Sequence, residues 1–175
     1  MTVFTIGHST REIAAFIALL RDAAVDCVAD VRRFPFSRRH PQFNDAALSR
    51  ALTEAGIGYR HFPALGGRRS ARHEGSPHTL WREPAFRNYA DYAETNEFRA
   101  AFAALRHLAQ EHSVAVMCAE AVWWRCHRRI IADYLIAAGF DVRHILDGKI
   151  EPATLTPDAT LRPDGSILYR APSLL

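Results

Sequence analysis

The chain opens on a β-branched and aromatic run, Val3-Phe4-Thr5-Ile6, which stops at Gly7-His8-Ser9-Thr10, where Ser9 or Thr10 is placed to cap a helix starting near Arg11. Ile13, Phe16, Ile17 and Leu20 then recur at helical spacing, and Cys27-Val28-Ala29-Asp30-Val31 reads as a short buried strand. Strand, helix and strand in that order predict a parallel sheet. From Arg32 to Phe43 two prolines and an alternation of basic and aromatic residues exclude a regular helix, so this stretch is a loop. Asn44 or Asp45 caps a helix carrying Leu48 and Leu52, Gly56 ends it, and residues 57–62 predict a third strand that Pro63 to Gly67 breaks.

Arg68 to Thr79 is polar and basic, with Gly, Ser and Pro, and reads as a mobile flap. Trp81, Phe86, Tyr89, Tyr92, Phe98 and Phe102 follow on one or two helices broken near Thr95-Asn96, and core packing is the expected role of these rings. Val114-Ala115-Val116-Met117-Cys118 is the clearest buried strand of the chain. A short loop leads to a helix with Ile130, Ile131, Tyr134 and Leu135, Gly139 stops it, and Asp141 to Leu146 forms a last strand. Beyond Pro152 the pattern is irregular, with a hairpin signal at Pro163-Asp164-Gly165. These elements predict a single three-layer α/β domain with a mostly parallel sheet of about five strands flanked by helices. Residues 1–150 form that domain, and residues 151–175 form a tail packed on it or extending from it.

At 175 residues with 49% hydrophobic side chains, the chain is able to build one sizeable core. No stretch approaches the roughly 18 uncharged apolar residues of a spanning helix, and the N-terminus reads as a strand rather than a leader, so a cytoplasmic protein without a membrane partner is expected. Three cysteines, Cys27, Cys118 and Cys126, are too few for a disulfide framework and fit reduced thiols. The net charge is only +3, but the cations are all arginine apart from Lys149, and many cluster: Arg32, Arg33, Arg38 and Arg39; Arg60, Arg68, Arg69 and Arg72; Arg125, Arg128 and Arg129. Planar guanidinium forks suit phosphate and carboxylate, which points to an anionic small molecule or nucleic acid as partner, with a merely solvated surface as the alternative.

Ligands of open parallel sheets bind at the C-terminal ends of the strands, and there the sequence gathers His8 and Ser9, Asp30 to Arg33, and Cys118-Ala119-Glu120. Cys118 is a candidate nucleophile, its thiolate favoured by a helix N-terminus and arginine charge, or else a small core residue. His127 is a candidate general base with Glu120 orienting it or exchanging protons itself, or else a capping histidine beside a Glu120–Arg128 salt bridge. Arg32 and Arg128 are candidate anion clamps, with Asp30 orienting one of them. Cys118, Cys126 and His127 also offer zinc ligand types, although no second C-x-x-C pair accompanies them. Trp123 and Trp124 stand where a phosphate-cradling loop would carry glycine or serine, which argues against a P-loop grip.

Thr5-Ile6-Gly7-His8-Ser9, Asp30-Val31-Arg32 with Pro35, Ser37 and Arg38, Pro41-Gln42-Phe43-Asn44, Leu65-Gly66-Gly67, and Cys118-Ala119-Glu120 followed by Cys126-His127-Arg128 together resemble the bacterial and archaeal family called domain of unknown function 488. The resemblance spans about residues 3 to 146, and C-x-E followed by C-H-R is its most specific motif. It implies a signature that includes His8, Ser9, Asp30, Arg32, Gln42, Asn44, Cys118, Glu120, Cys126, His127 and Arg128, and it implies no established activity. Asp30-Val31-Arg32, Cys118 and Gly139-Phe140-Asp141-Val142 are also similar, in order, to pieces of rhodanese-like sulfurtransferases, which by fold-level analogy would make Cys118 a persulfide carrier.

Three readings of function follow. The first is an enzyme on an anionic, phosphate-bearing ligand, nucleotide or nucleic acid included. Cys118, Glu120 and His127 would be catalytic, and His8, Ser9, Asp30, Arg32, Arg38, Gln42, Asn44 and Arg128 would bind the ligand. The second is a non-catalytic nucleic-acid-binding module in which the Arg32 to His40 and Arg60 to His73 segments grip phosphates while Phe34, Phe36 or Phe43 stack on bases. The third is a structural zinc site at Cys118, Cys126 and His127. No cofactor is required by the sequence, zinc is the one metal alternative, and the oligomeric state is left open.

Overall fold

The computed structural model describes residues 1–71 and 74–172. Its sheet is built from β1 (Thr2–Gly7), β2 (Cys27–Asp30), β3 (Gly58–His61), β4 (Val114–Cys118), β5 (Asp141–Leu146) and β6 (Lys149–Pro152) in the order β3-β2-β4-β1-β5-β6. All neighbours run parallel except β5 and β6. The helices are α1 (Ile13–Asp22), α2 (Asp45–Glu54), α3 (Pro84–Ala93), α4 (Asn96–Glu111) and α5 (Arg128–Ala137). The chain is therefore an α/β domain of three layers, as the alternation of elements predicts.

The layers follow from the alternation of side chains along the strands. Ile6, Val28, Ala115, Met117 and Ile145 face α1 and α2, which bury Phe16, Leu20, Leu48 and Leu52 against them. Val3, Ala29, Val31 and Val116 face α3, α4 and α5, which contribute Tyr89, Phe98, Leu105, Ile130, Ile131 and Leu135. The aromatic residues of α3 and α4 are core, with Phe98 edge-on to Tyr89, Tyr92 and Tyr134. Thr95 separates these two helices, and its hydroxyl caps α4 by accepting from the Phe98 amide.

The sheet departs from the expectation of five strands by one. β6 turns back on β5 through Asp147-Gly148, where Gly148 has φ 73°. That Asp-Gly pair is a hairpin signal in the sequence, so Asp141–Leu146 is not the last strand. Past Pro152, β7 (Ala159–Leu161) and β8 (Ile167–Tyr169) form a hairpin closed by Gly165, with Ile167 and Tyr169 buried in the main core. The cap of α1 also differs from expectation. Neither Ser9 nor Thr10 caps it: Glu12 holds the N-cap position without a side-chain bond, and Ser9 takes a left-handed φ of 51° while its amide donates to the Ala119 carbonyl. Ser9 serves the neighbouring loop instead. Of the stretch read as a flap, Arg72 and His73 lie outside the described residues.

Because β4 is inserted between β2 and β1, three strand ends meet at one edge of the sheet. Gly7 stands opposite Cys118, and Asp30 opposite Met117. The chain leaves β1 for β2 on one side and leaves β4 for β5 on the other, which is the arrangement that opens a crevice at strand C-termini.

Candidate functional site

Above those strand ends lies a cavity of about 730 Å³ lined by His8, Ser9, Arg32, Arg33, Phe34, Phe36, Arg68, Tyr89, Cys118, Glu120, Arg125, Cys126 and His127, among others. Four arginines against the one carboxylate of Glu120 make its lining electropositive.

Gly7 lets the loop after β4 close over β1. A Cβ there would overlap the Glu120 carbonyl, and with hydrogen alone the His8 amide reaches the Cys118 carbonyl at 2.9 Å. His8 is thereby fixed and stacks on Phe43 with centroids 4.3 Å apart. Its Nδ1 donates to the Ser9 carbonyl at 2.8 Å, which leaves Nε2 to accept from Arg32 Nη1 at 3.3 Å. Burial lowers its pKa to about 4, so the ring is neutral in the range where an imidazole normally titrates.

Arg32 is held on every side. Asp30, with no exposed surface, accepts from the Arg32 amide, Nε and Nη2. Nη2 also donates to the Phe43 carbonyl at 2.7 Å, and Tyr59 donates its hydroxyl to Asp30 Oδ2. Asp30 thus orients Arg32 as the sequence suggests, and Tyr59 is a partner that strand alternation alone did not single out. Burial and the Asp30 carboxylate hold the Tyr59 hydroxyl protonated far into the alkaline range.

The densest chemistry lies beneath the cavity floor. Arg128, the first residue of α5, is 1% exposed, and among the described residues it makes no ion pair with a carboxylate. Its Nε donates to Cys118 Sγ at 3.0 Å, Nη2 to the Glu120 carbonyl at 2.6 Å and Nη1 to Thr5 Oγ1 at 3.4 Å. The Glu120 carboxylate is exposed and takes no part, so the Glu120–Arg128 salt bridge considered from sequence is replaced by a bond to the backbone. A buried guanidinium without a counter-ion is costly, and among the described residues the groups beside it able to supply negative charge are Cys118 and Cys126.

Those two sulfurs approach to 2.6 Å. Cys126 precedes α5 and accepts from the Arg128 amide at 3.4 Å, with His127 Nδ1 at 3.5 Å. His127 Nε2 donates to the Val31 carbonyl at 3.0 Å, so Nδ1 faces the thiol. Tyr89 packs its ring 5.1 Å from that imidazole, and Gly67 leaves room for it. Burial opposes ionisation of Cys126, but the hydrogen bond from Cys118, His127 and Arg128 together bring it well below the ordinary thiol value. Burial and the bond to Cys126 push Cys118 well above it. Ionisation is thus favoured at Cys126 over Cys118, with Arg128 donating to Cys118 and the two sulfurs in contact. Arg128 is in turn raised by the two sulfurs, against its burial.

His144 lies behind Arg128. Thr5 Oγ1, which accepts from Arg128, donates to His144 Nδ1 at 2.7 Å, and Trp123 stacks on the imidazole at 4.4 Å. Burial, with help from Arg128, lowers the His144 pKa to about 4.

Of the residues picked out from sequence, His8, Ser9, Arg32, Cys118, Glu120 and His127 line the cavity. Asp30 and Arg128 sit behind it as supports. Gln42 braces the loop by donating to the Arg11 carbonyl, Asn44 accepts from the Ser37 amide, and Arg38 is exposed outside the lining. Cys126, ambiguous from sequence between reactive thiol, core residue and zinc ligand, is the sulfur whose ionisation its neighbours favour. Its place one residue before the helix N-cap is the signal that would have found it.

The donor set does not fit zinc. Two thiolates on one tetrahedral zinc stand about 3.8 Å apart at Zn–S bonds of about 2.3 Å, whereas these sulfurs are at 2.6 Å with a guanidinium directed at one of them. Among the described residues no three His, Cys, Asp or Glu side chains are grouped to hold a metal. No described helix is long and apolar enough to cross a membrane.

No curated protein and no solved structure matches the chain. The family model described as "Domain of unknown function DUF488" matches residues 12–135, from the N-cap of α1 to near the end of α5, and so takes in Asp30, Arg32 and the whole Cys118 to Arg128 segment. With the greater part of its length inside that match, this chain belongs to the DUF488 family.

Proposed function

We propose that the protein is an enzyme that binds an anionic small molecule in the cavity over the strand ends and attacks it with a cysteine thiolate. The single observation that carries this reading is Arg128, a buried cation that donates to Cys118 beside Cys126 at the cavity floor. A thiolate is the nucleophilic form of cysteine, and a helix N-terminus, an imidazole and a guanidinium are the groups that stabilise it. Arg33, Arg68 and Arg125 are exposed cations on the cavity lining, placed to receive phosphate or carboxylate, while Arg32 is engaged by Asp30, the Phe43 carbonyl and His8. The cavity has the volume of a site for a metabolite-sized ligand. In this reading His127 exchanges protons with the thiol, His8 presents a neutral ring, and Glu120 on the rim is free to contact the ligand.

The test is protection. Pyrophosphate should slow iodoacetamide alkylation of Cys126 several-fold, and the protection should weaken with salt and in the Arg125→Ala variant. Alkylation indifferent to pyrophosphate and to di- and tricarboxylates would remove the reading.

One observation favours a second. Phe34 is 66% exposed and Phe36 70% on the cavity lining, beside exposed Arg33, Arg38 and Arg39. Exposed rings among exposed guanidinium groups suit stacking on the bases of a nucleic-acid strand. Single-stranded oligonucleotides would then bind at low salt and lose affinity steeply as salt rises; no binding at low salt would dispose of it.

A further inference from the structure

A single thiolate suffices for nucleophilic catalysis, and the second sulfur at 2.6 Å is left without a task. Its position gives it one. Any group that Cys126 acquires through sulfur stands within bonding reach of Cys118, which attacks it before solvent does. Both thiols are nearly buried and both reach the cavity, so a substrate enters from the arginine-lined side only.

We propose that Cys118 is the resolving partner of Cys126 and that the site carries out thiol–disulfide exchange with an anionic low-molecular-weight disulfide. This deepens the thiolate reading above and rests on it. The Cys126 thiolate attacks one sulfur of the substrate; a Cys126–substrate S–S bond forms, the substrate S–S bond breaks, and one thiolate leaves with the electron pair. Cys118 gives its proton to that thiolate and attacks Cys126 Sγ, and the second half of the substrate leaves as a thiolate. A protein thiol and a protein thiolate have become a disulfide, and the substrate disulfide has become one thiol and one thiolate. The reverse exchange with the thiol form of the substrate restores the pair.

The substrate class follows from the lining. Arg33, Arg68 and Arg125 against one carboxylate favour a molecule bearing several carboxylates or phosphates, and association is then faster than for a neutral disulfide of similar reactivity. Arg128 assists by its place: it donates to Cys118 and to the Glu120 carbonyl, and so holds the resolving sulfur against its partner.

The experiment uses the intact chain and oxidised glutathione, a disulfide with four carboxylates, and reads whole-protein mass. The wild type should become two hydrogen masses lighter, with Cys118 and Cys126 in one disulfide-linked peptide. Cys118→Ser or Cys118→Ala should instead accumulate a glutathione adduct on Cys126, and Cys126→Ser should react at least about tenfold more slowly. The neutral hydroxyethyl disulfide should react about tenfold more slowly than oxidised glutathione at low salt, with the gap closing as salt rises. A wild type whose mass never falls by two hydrogens, at any ratio of oxidised to reduced glutathione, overturns the proposal even if the serine variants fail to fold. Equal rates for the charged and neutral disulfides overturn the substrate class. Low-pH alkylation of Cys126 without disulfide formation sinks this inference and leaves the thiolate reading standing; alkylation at the ordinary thiol value sinks both.

Discussion

His8 and His144 are both held neutral by burial, one accepting from Arg32 and the other accepting from Thr5. Each has a native pKa of about 4 against the ordinary 6.5. Between those values the unfolded chain binds protons that the native one refuses, so native stability is full above pH 6.5 and is lost as pH falls toward 4. Chemical denaturation from pH 7 to pH 4 should show that fall, and His144→Gln should make it shallower. A flat profile in the wild type would mean that these rings are not held neutral. At the Cys118–Cys126 pair, Cys126 is depressed and Cys118 raised, so its stabilisation grows with pH up to the ordinary thiol range and declines above it.

The elements around the site depend on two close approaches of backbone. Gly7 admits the Glu120 carbonyl, and Gly66 admits the Arg33 backbone, which a Cβ would meet at 2.6 Å. Gly7→Ala should displace the loop after β4 and cost about 1–3 kcal/mol, as overpacking against main chain does. It should also cancel any alkylation of Cys126 below the ordinary thiol range, because Arg128 binds that loop. Thr95→Ala, which removes only the cap of α4, should cost about 1 kcal/mol and leave the thiols untouched. Equal effects of the two substitutions on Cys126 would detach the loop from the site. The strands that build the site were legible as apolar runs ending in polar residues, and so was the family. The cap of α1 was not, because the bond that claims the Ser9 amide comes from a residue more than a hundred positions away. Nor was the Cys118–Cys126 contact, since the intervening loop could have carried the sulfurs apart; only the pairing of Cys118 with Gly7 and the start of α5 at Arg128 set their distance.

At the scale of the whole molecule, the arginines divide into two populations. Arg32 and Arg128 are buried, fully engaged supports, whereas Arg33, Arg38, Arg39, Arg68 and Arg125 are exposed near one end of the sheet. A net charge of only +3 therefore understates the local field at the cavity mouth. Oxidation should have an unusual effect on stability. Joining Cys118 to Cys126 would stabilise by about 2–3 kcal/mol through loop closure. It would also strip Arg128 of its counter-charge at a cost of about 3–5 kcal/mol. The oxidised protein should melt no higher than the reduced one; a clear rise in Tm on oxidation would show that Arg128 does not rely on the thiolate.

The central claim is that Arg128 is balanced by a thiolate on Cys126, and the pH dependence of its alkylation by iodoacetamide, read by peptide mass spectrometry on native protein, tests it most directly. Cys126 should titrate well below the unperturbed value of about 8.5, returning upward by about one unit or more in Arg128→Met and to the ordinary value in denaturant. A native Cys126 that titrates at the ordinary value, or that reacts only after unfolding, would contradict it.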